Sequence, residues 1–238
     1  DRNRLSVVEF RNKCKEYAMQ WVEKQKADFK RLGIWGDWDN PYVTLTPEYE
    51  AKQIEVFGEM VKKGYVYKGL KPVYWCADCE TALAEAEIEY HDDTSFAIYV
   101  KFQVQDGRGV ISSTDPVYFV IWTTTPWTIP ANEAICLHPD YRYVLIDTDQ
   151  GKLVMAKDLV EKVAAETGLE VRGILHEWVG RELELITCTH PLTGGVSLVI
   201  LGNHVTLEQG SGCVHTAPGH GIEDYEVGLN YDLPVFAP

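Results

Sequence analysis

Apolar residues recur at helical spacing over the first sixty positions and at strand spacing after residue 96. Phe10, Cys14, Tyr17, Ala18, Trp21 and Val22 form one stripe, with Lys and Glu covering the other face. Ser6-Val7-Val8-Glu9 has the form of a capping box, a hydroxyl at the cap and a carboxylate three residues on. Together they predict a helix from Ser6 to about Leu32, stopped by Gly33. Gly36-Asp37-Trp38-Asp39-Asn40-Pro41 is turn chemistry. Thr46-Pro47-Glu48 then opens a second helix with Ile54, Phe57 and Val61 on its expected buried side, closed by Lys62-Lys63-Gly64.

Tyr65 to Trp75 reads as extended or hairpin chain, and Thr81 to Glu89 as a polar, Ala- and Glu-rich stretch. From Phe96 onward short strands follow one another at 96–104, 117–123, 143–147, 152–155, 169–176, 183–188 and 196–202. One helix interrupts them near 157–166, with Leu159, Val160 and Val163 inward and Gly168 as its stop. The pattern predicts an α+β protein, mostly a barrel-like or sandwich β domain with a few helices, preceded by a helical segment. The change of regime puts the domain boundary near residue 92, giving 1–92 and 93–238.

Charge changes the picture in one respect. The formal net charge is −14, but residues 1–70 carry 13 Lys and Arg against 11 Asp and Glu, whereas residues 71–238 carry 9 against 25. An acidic module of this strength grips a phosphate backbone poorly by itself. No apolar run is long enough to span a bilayer and no signal-peptide pattern is present, so the expectation is a cytoplasmic protein with no membrane partner. Asp1 is not an initiator Met, and the chain reads as a piece of a longer protein. Of six Cys only Cys76 and Cys79 are close in sequence, which suggests reduced thiols with one half of a zinc site, or two thiols on a tight turn.

Two polar clusters stand out against this background. Trp122-Thr123-Thr124-Thr125-Pro126-Trp127-Thr128-Ile129-Pro130-Ala131-Asn132 follows Val117-Tyr118-Phe119-Val120-Ile121, a run with the character of a buried strand. A buried hydroxyl without a partner costs roughly 1–3 kcal/mol, so three at one strand end need explaining. Pro126 denies the ladder a donor and should end the strand there. The row either lines a small-molecule pocket or makes local side-chain turns. In the second cluster, Gly210 to Tyr225, five Gly and Pro residues predict a loop that admits close backbone approach, followed by a short helix from about Ile222. Asp224 is there either as a helix-start carboxylate or as a functional group, and His215 either as a satisfied histidine or as part of a site.

The pair of blocks from Trp122 to Asn132 and from Gly212 to Asp224 closely resembles the editing domain of bacterial isoleucyl-tRNA synthetases. Gly36 to Tyr42, Glu59 to Gly64 and Thr81 to Glu87 resemble the segment leading from that family's class I catalytic domain into its insertion, so the likeness spans nearly the whole chain. Sister leucyl and valyl enzymes typically carry Thr-Thr-Arg-Pro in the first block; Thr125 stands where their Arg would be. The family's nucleotide-binding signatures, His-Ile-Gly-His and Lys-Met-Ser-Lys-Ser, are not in this sequence, so this piece is not expected to activate amino acids.

The resemblance implies a hydrolytic proofreading domain that deacylates valine mischarged onto tRNA(Ile), within a parent enzyme that joins isoleucine to its tRNA using ATP. One missing methylene allows only roughly 10- to 200-fold discrimination, a bound for which isoleucine against valine is itself the standing example. A second, smaller sieve is the remedy. Thr123, Thr124, Thr125 and Asn132 are then expected to position water and the terminal adenosine, and Asp224 to pair with the substrate's α-ammonium group. Trp122 and His215 would wall the side-chain pocket. Editing itself needs no cofactor on this reading, and Cys76 and Cys79 would hold at most a structural zinc in the parent enzyme. The implied partners are the 3′ end of tRNA(Ile) carrying valine, valine or valyl-adenylate, and the rest of the parent synthetase. The rival readings are a metal-dependent hydrolase using His215, His220 and Asp224, and a non-enzymatic zinc-knuckle RNA-binding module.

Overall fold

The computed structural model describes residues 4–238, which form two compact units, one ending at Gly69 and the other spanning Leu70–Pro238. The division falls earlier than the boundary expected near residue 92. Helical sequence stops at Gly64, and the stretch after it belongs with the β unit.

The first unit holds two helices, α1 (Val7–Arg31) and α2 (Pro47–Lys62). Their ends are set locally, as expected. Glu9 N–H donates to Ser6 Oγ while Ser6 N–H donates to the Glu9 carboxylate, and Thr46 Oγ1 accepts from Tyr49 N–H. Their faces are not buried as expected. Ile54, Phe57 and Val61 are exposed, and no residue of either helix is buried. The stripes are amphipathic but only partly covered: Ala18 and Val22 are half-buried and Phe29 stacks on Trp38, while Ile54, Phe57 and Val61 stay exposed.

The second unit begins with a small antiparallel hairpin of β1 (Trp75–Cys76) and β2 (Thr81–Ala82). Nine further strands follow: β3 (Ile98–Asp106), β4 (Val117–Thr123), β5 (Ala134–Leu137), β6 (Arg142–Thr148), β7 (Gly151–Ala156), β8 (Val171–Val179), β9 (Thr187–Thr189), β10 (Val196–Leu201) and β11 (Cys213–Thr216). Helix α3 (Val160–Thr167) ends at Gly168 in the left-handed conformation and buries Val160 and Val163. Helix α4 (Ile222–Leu229) closes the chain's last turn.

Six strands close into a ring in the order β11, β5, β10, β9, β3, β4 and back to β11. The remaining three, β7, β6 and β8, extend from β4 as an open sheet. The expected α+β, barrel-like architecture is therefore what forms. Two barrel strands, β5 and β11, were not expected. The loop expectation for residues 210–225 is corrected at Cys213–Thr216, where the β-branched Val214 and Thr216 pair antiparallel with β5 and complete the ring.

β4 is the pivot of the unit. Along its length it pairs with β3, from Tyr118 opposite Gln103 to Thr123 opposite Ile98. On its other side Val117–Phe119 pairs with β7, whereas Trp122 pairs with Val214 of β11. Neighbours on both sides satisfy both edges of the strand, and both of its faces are packed: Phe119, Val120 and Ile121 lie in the main core with Phe102, Ile135 and Leu137. The two partners of β4 part company beside Trp122, where the polar row begins.

Candidate active site

β4 ends at Thr123, and Pro126 opens a tight helical turn running to Ala131. The strand stops where the proline requires. Thr123 is buried, and its Oγ1 accepts from Thr125 N–H at 3.0 Å and lies 3.1 Å from Thr125 Oγ1. That is the local side-chain turn, and it is also a pocket wall. Thr123, Thr124 and Thr125 line one cavity of about 1160 Å³ together with Trp122, His215 and Asp224. The two polar blocks, separated by about ninety residues, thus meet at one place.

Sheet register explains the meeting. His215 on β11 lies opposite Ile135 on β5, and Glu133 N–H donates to Thr216 O at 3.0 Å. Asn132, just before β5, is thereby carried to the His215 ring, and its Nδ2 stands 2.8 Å from Nδ1. Thr128, in the turn after β4, has its Oγ1 2.9 Å from Nε2 of the same ring. Ser197 on β10 reaches Asn132 across the parallel β10–β5 pair and donates to Oδ1 at 2.6 Å. Burial pushes the His215 pKa down to about 4, helped by His190 and His220.

Asn132 is the one expected site residue that the cavity does not admit. It is only 4% exposed, and its amide is taken up by Ala134 O, His215 and Ser197. It reaches the cavity through His215.

Asp224 occupies the first turn of α4, and one carboxylate oxygen accepts from Ala217 N–H at 2.9 Å. It is both a helix-start residue and a cavity residue. Burial raises its pKa, while the Ala217 N–H and the nearby His204 and His220 oppose that rise.

Gly210 and Gly212 shape the floor. Both have φ near +73°, and a Cβ on Gly212 would stand 2.4 Å from Ala156 Cβ. On Gly210 it would press on Trp122 at 3.0 Å. Several wall residues were not picked out from sequence. Trp127 is 67% exposed on the cavity rim. His204 also lines it, and so do Trp75 and Ala77 of the hairpin. Trp127 and Thr128 lay inside the first block and were open to recognition; Trp75, His204 and Ser197 carried no sequence signal.

The metal-hydrolase arrangement does not form. Both ring nitrogens of His215 are engaged by Asn132 and Thr128, and among the described residues no three His, Cys, Asp or Glu side chains gather as a metal site. Cys76 and Cys79 do form a knuckle, with Cys79 N–H donating to Cys76 Sγ at 3.3 Å. Hydrogen bonds from Cys79 lower the Cys76 pKa. Two thiols fit half of a tetrahedral zinc site, and the other half is not supplied by the described residues.

The chain belongs to the class I tRNA synthetases. The family model described as tRNA synthetases class I (I, L, M and V) matches residues 1–184. Within that family the chain is similar from end to end to isoleucine-tRNA ligases. Identity is 62% with that of Natranaerobius thermophilus and 58% with that of Moorella thermoacetica, in each case over 100% of this chain and 26% of the relative. The chain thus spans about a quarter of the length of these relatives. A crystal structure of the P. knowlesi cytosolic leucyl-tRNA synthetase editing domain aligns with 54% of this chain and 60% of its own, at 12% identity and a TM-score of 0.48. Among the described residues no helix is long and apolar enough to cross a membrane.

Proposed function

We propose that the barrel unit is the hydrolytic proofreading site of an isoleucine-tRNA ligase, and that it cleaves valine from tRNA(Ile). The observation that carries this reading is the convergence of Thr123, Thr124 and Thr125 with Asp224 on one cavity. An aminoacyl ester presents an ammonium group, an ester carbonyl and a ribose. Asp224 anchors the ammonium by a charge-assisted hydrogen bond. Thr124 and Thr125, exposed at the wall, orient the attacking water and the ribose. A threonine hydroxyl is too weak a base to ionise water near neutral pH, so placement does the work, and well-placed reactants can gain roughly 7–11 kcal/mol of barrier.

The cavity as a whole is far larger than a three-carbon branch. Its volume suits an aminoacyl-adenosine end. Selection against isoleucine then falls to the part of the wall made by Trp122 and His215. The exposed apolar faces of α1 and α2 are where the rest of a synthetase would pack, and a structural zinc at Cys76 and Cys79 would need two further ligands from it. The acidic balance of residues 71–238 favours delivery of the tRNA end by that remainder.

The test uses the whole chain with small valyl and isoleucyl esters of adenosine, which need no tRNA grip, and then with Val-tRNA(Ile) and Ile-tRNA(Ile). Faster loss of the valyl ester is expected in both formats. Equal or absent hydrolysis of the two adenosine esters at high concentration would reject the proposal.

A further inference from the structure

Four side chains form a directed line through the wall of the cavity, and the direction can be fixed without seeing a hydrogen. Asn132 Nδ2 is 2.8 Å from the carbonyl oxygen of Ala134. A carbonyl only accepts, so the amide atom facing it is the NH₂ and the other is the oxygen. Ser197 Oγ, fully buried and 2.6 Å from that oxygen, must then donate to it. The second amide hydrogen faces His215 Nδ1 at 2.8 Å, so Nδ1 has to offer a lone pair. A neutral imidazole with a bare Nδ1 carries its hydrogen on Nε2, which donates to Thr128 Oγ1 at 2.9 Å. Thr128 passes its own hydrogen to Thr125 O at 2.9 Å. Every donor in the line meets an acceptor in this one arrangement. Protonating Nδ1 would set two hydrogens against each other.

We propose that Ser197 and Asn132 are positioning residues that hold His215 as the neutral imidazole with its hydrogen on Nε2, keeping positive charge off the wall of the cavity that Asp224 also lines. The purpose assigned to the wall rests on the proofreading reading, because an imidazolium there would repel the ammonium group that Asp224 is to receive. The lock itself rests only on geometry. Ser197 contacts no substrate on this account. It orients the amide that orients the ring.

The tautomer is read directly from the ¹⁵N–¹H spectrum of the histidine rings in the labelled chain, with His215 assigned by comparison with His215→Gln. A protonated Nε2 beside a bare Nδ1 is expected at pH 7; a hydrogen on Nδ1, or on both nitrogens, would overturn the proposal. Asn132→Asp should move the hydrogen to Nδ1 and raise the ring's titration midpoint by about 1–3 pH units, as a carboxylate beside an imidazole does; an unchanged ring spectrum would count against the lock. Ser197→Ala should give a mixed ring pattern and shift the acid limb of valyl-ester hydrolysis to higher pH, and Ser197→Thr, which keeps the hydroxyl, should restore both. Loss of activity in Ser197→Ala with the ring pattern and acid limb unmoved would reduce Ser197 to a packing role and reject its part. The ring spectrum and the ester assay fail separately: the expected tautomer with no ester hydrolysis would sink the proofreading reading and leave the lock standing.

Discussion

The hydroxyl of Tyr143 donates to the carbonyl of Gly212 at 2.7 Å while accepting from His138 N–H at 2.9 Å. Tyr143 lies on β6 in the open sheet, and Gly212 lies on the floor of the cavity, so one fully buried side chain ties the two parts of the unit together. Burial raises the Tyr143 pKa, so the group stays a phenol at any ordinary pH and can donate. Tyr143→Phe strands a buried carbonyl and a backbone N–H. It is expected to cost about 1–3 kcal/mol in urea unfolding. Valyl-ester hydrolysis should fall as the Gly212 turn loosens.

Asp224→Asn separates stability from function. The folded-state pKa of Asp224 is raised, so its contribution to stability is present at low pH and is lost as pH rises through that value. At neutral pH the buried charge opposes folding. Asparagine keeps an acceptor for Ala217 N–H and removes the charge. Thermal unfolding should therefore occur at higher temperature than wild type at pH 7, with the gap closing at pH 4. Ester hydrolysis should drop by roughly 10- to 150-fold, the equivalent of one charge-assisted hydrogen bond. A variant that unfolds earlier than wild type at pH 7 contradicts the pKa direction; one with full activity contradicts the anchor role.

His215 works in the opposite sense. Its pKa falls from the ordinary 6.5 to about 4 on folding, with burial the main cause and His190 and His220 adding to it. Between those values the unfolded chain binds a proton that the folded chain refuses, so stability declines as pH drops from 6.5 to 4. The full effect is on the order of 3 kcal/mol. His215→Gln can accept from Asn132 and donate to Thr128 without titrating. Relative to wild type it should gain stability as pH drops over that window, as followed by chemical denaturation of both proteins at half-unit steps in pH.

Trp127 offers an exposed indole on the cavity rim, a surface suited to a nucleobase. Trp127→Ala is expected to weaken binding of valyl-adenosine by about 1–3 kcal/mol, seen as a raised KM with kcat little changed. Trp127→Phe should recover most of it. A kcat loss at constant KM would place the indole in the chemistry instead.

How much of this was legible depended on distance along the chain. The cap of α1 was readable because Ser6 and Glu9 are three residues apart and settle it between themselves. The end of β4 was readable because Pro126 acts on its own backbone. Burial of the α1 and α2 stripes was misread, because amphipathicity shows which face is apolar and not whether anything lies against it. β11 was taken for loop because its flanking glycines speak locally, whereas its two strand partners lie about eighty and ninety residues upstream. Asn132 was placed at the substrate because it ends a polar block; only the register of β5 with β11 turns it inward to His215. Ser197 was invisible for the same reason, a single hydroxyl in an apolar strand whose meaning depends on β10 lying beside β5.

The double allegiance of β4 constrains how the unit comes apart. Opening the ring at the β4–β11 seam frees Val214 from β4, and shedding the outer three strands frees β7 from it. Neither can leave without exposing one edge of the strand on which the other depends. The amides of Phe119 to Ile121 should accordingly exchange with deuterium only through whole-unit unfolding, and the cavity is lost in the same event as the sheet beside it.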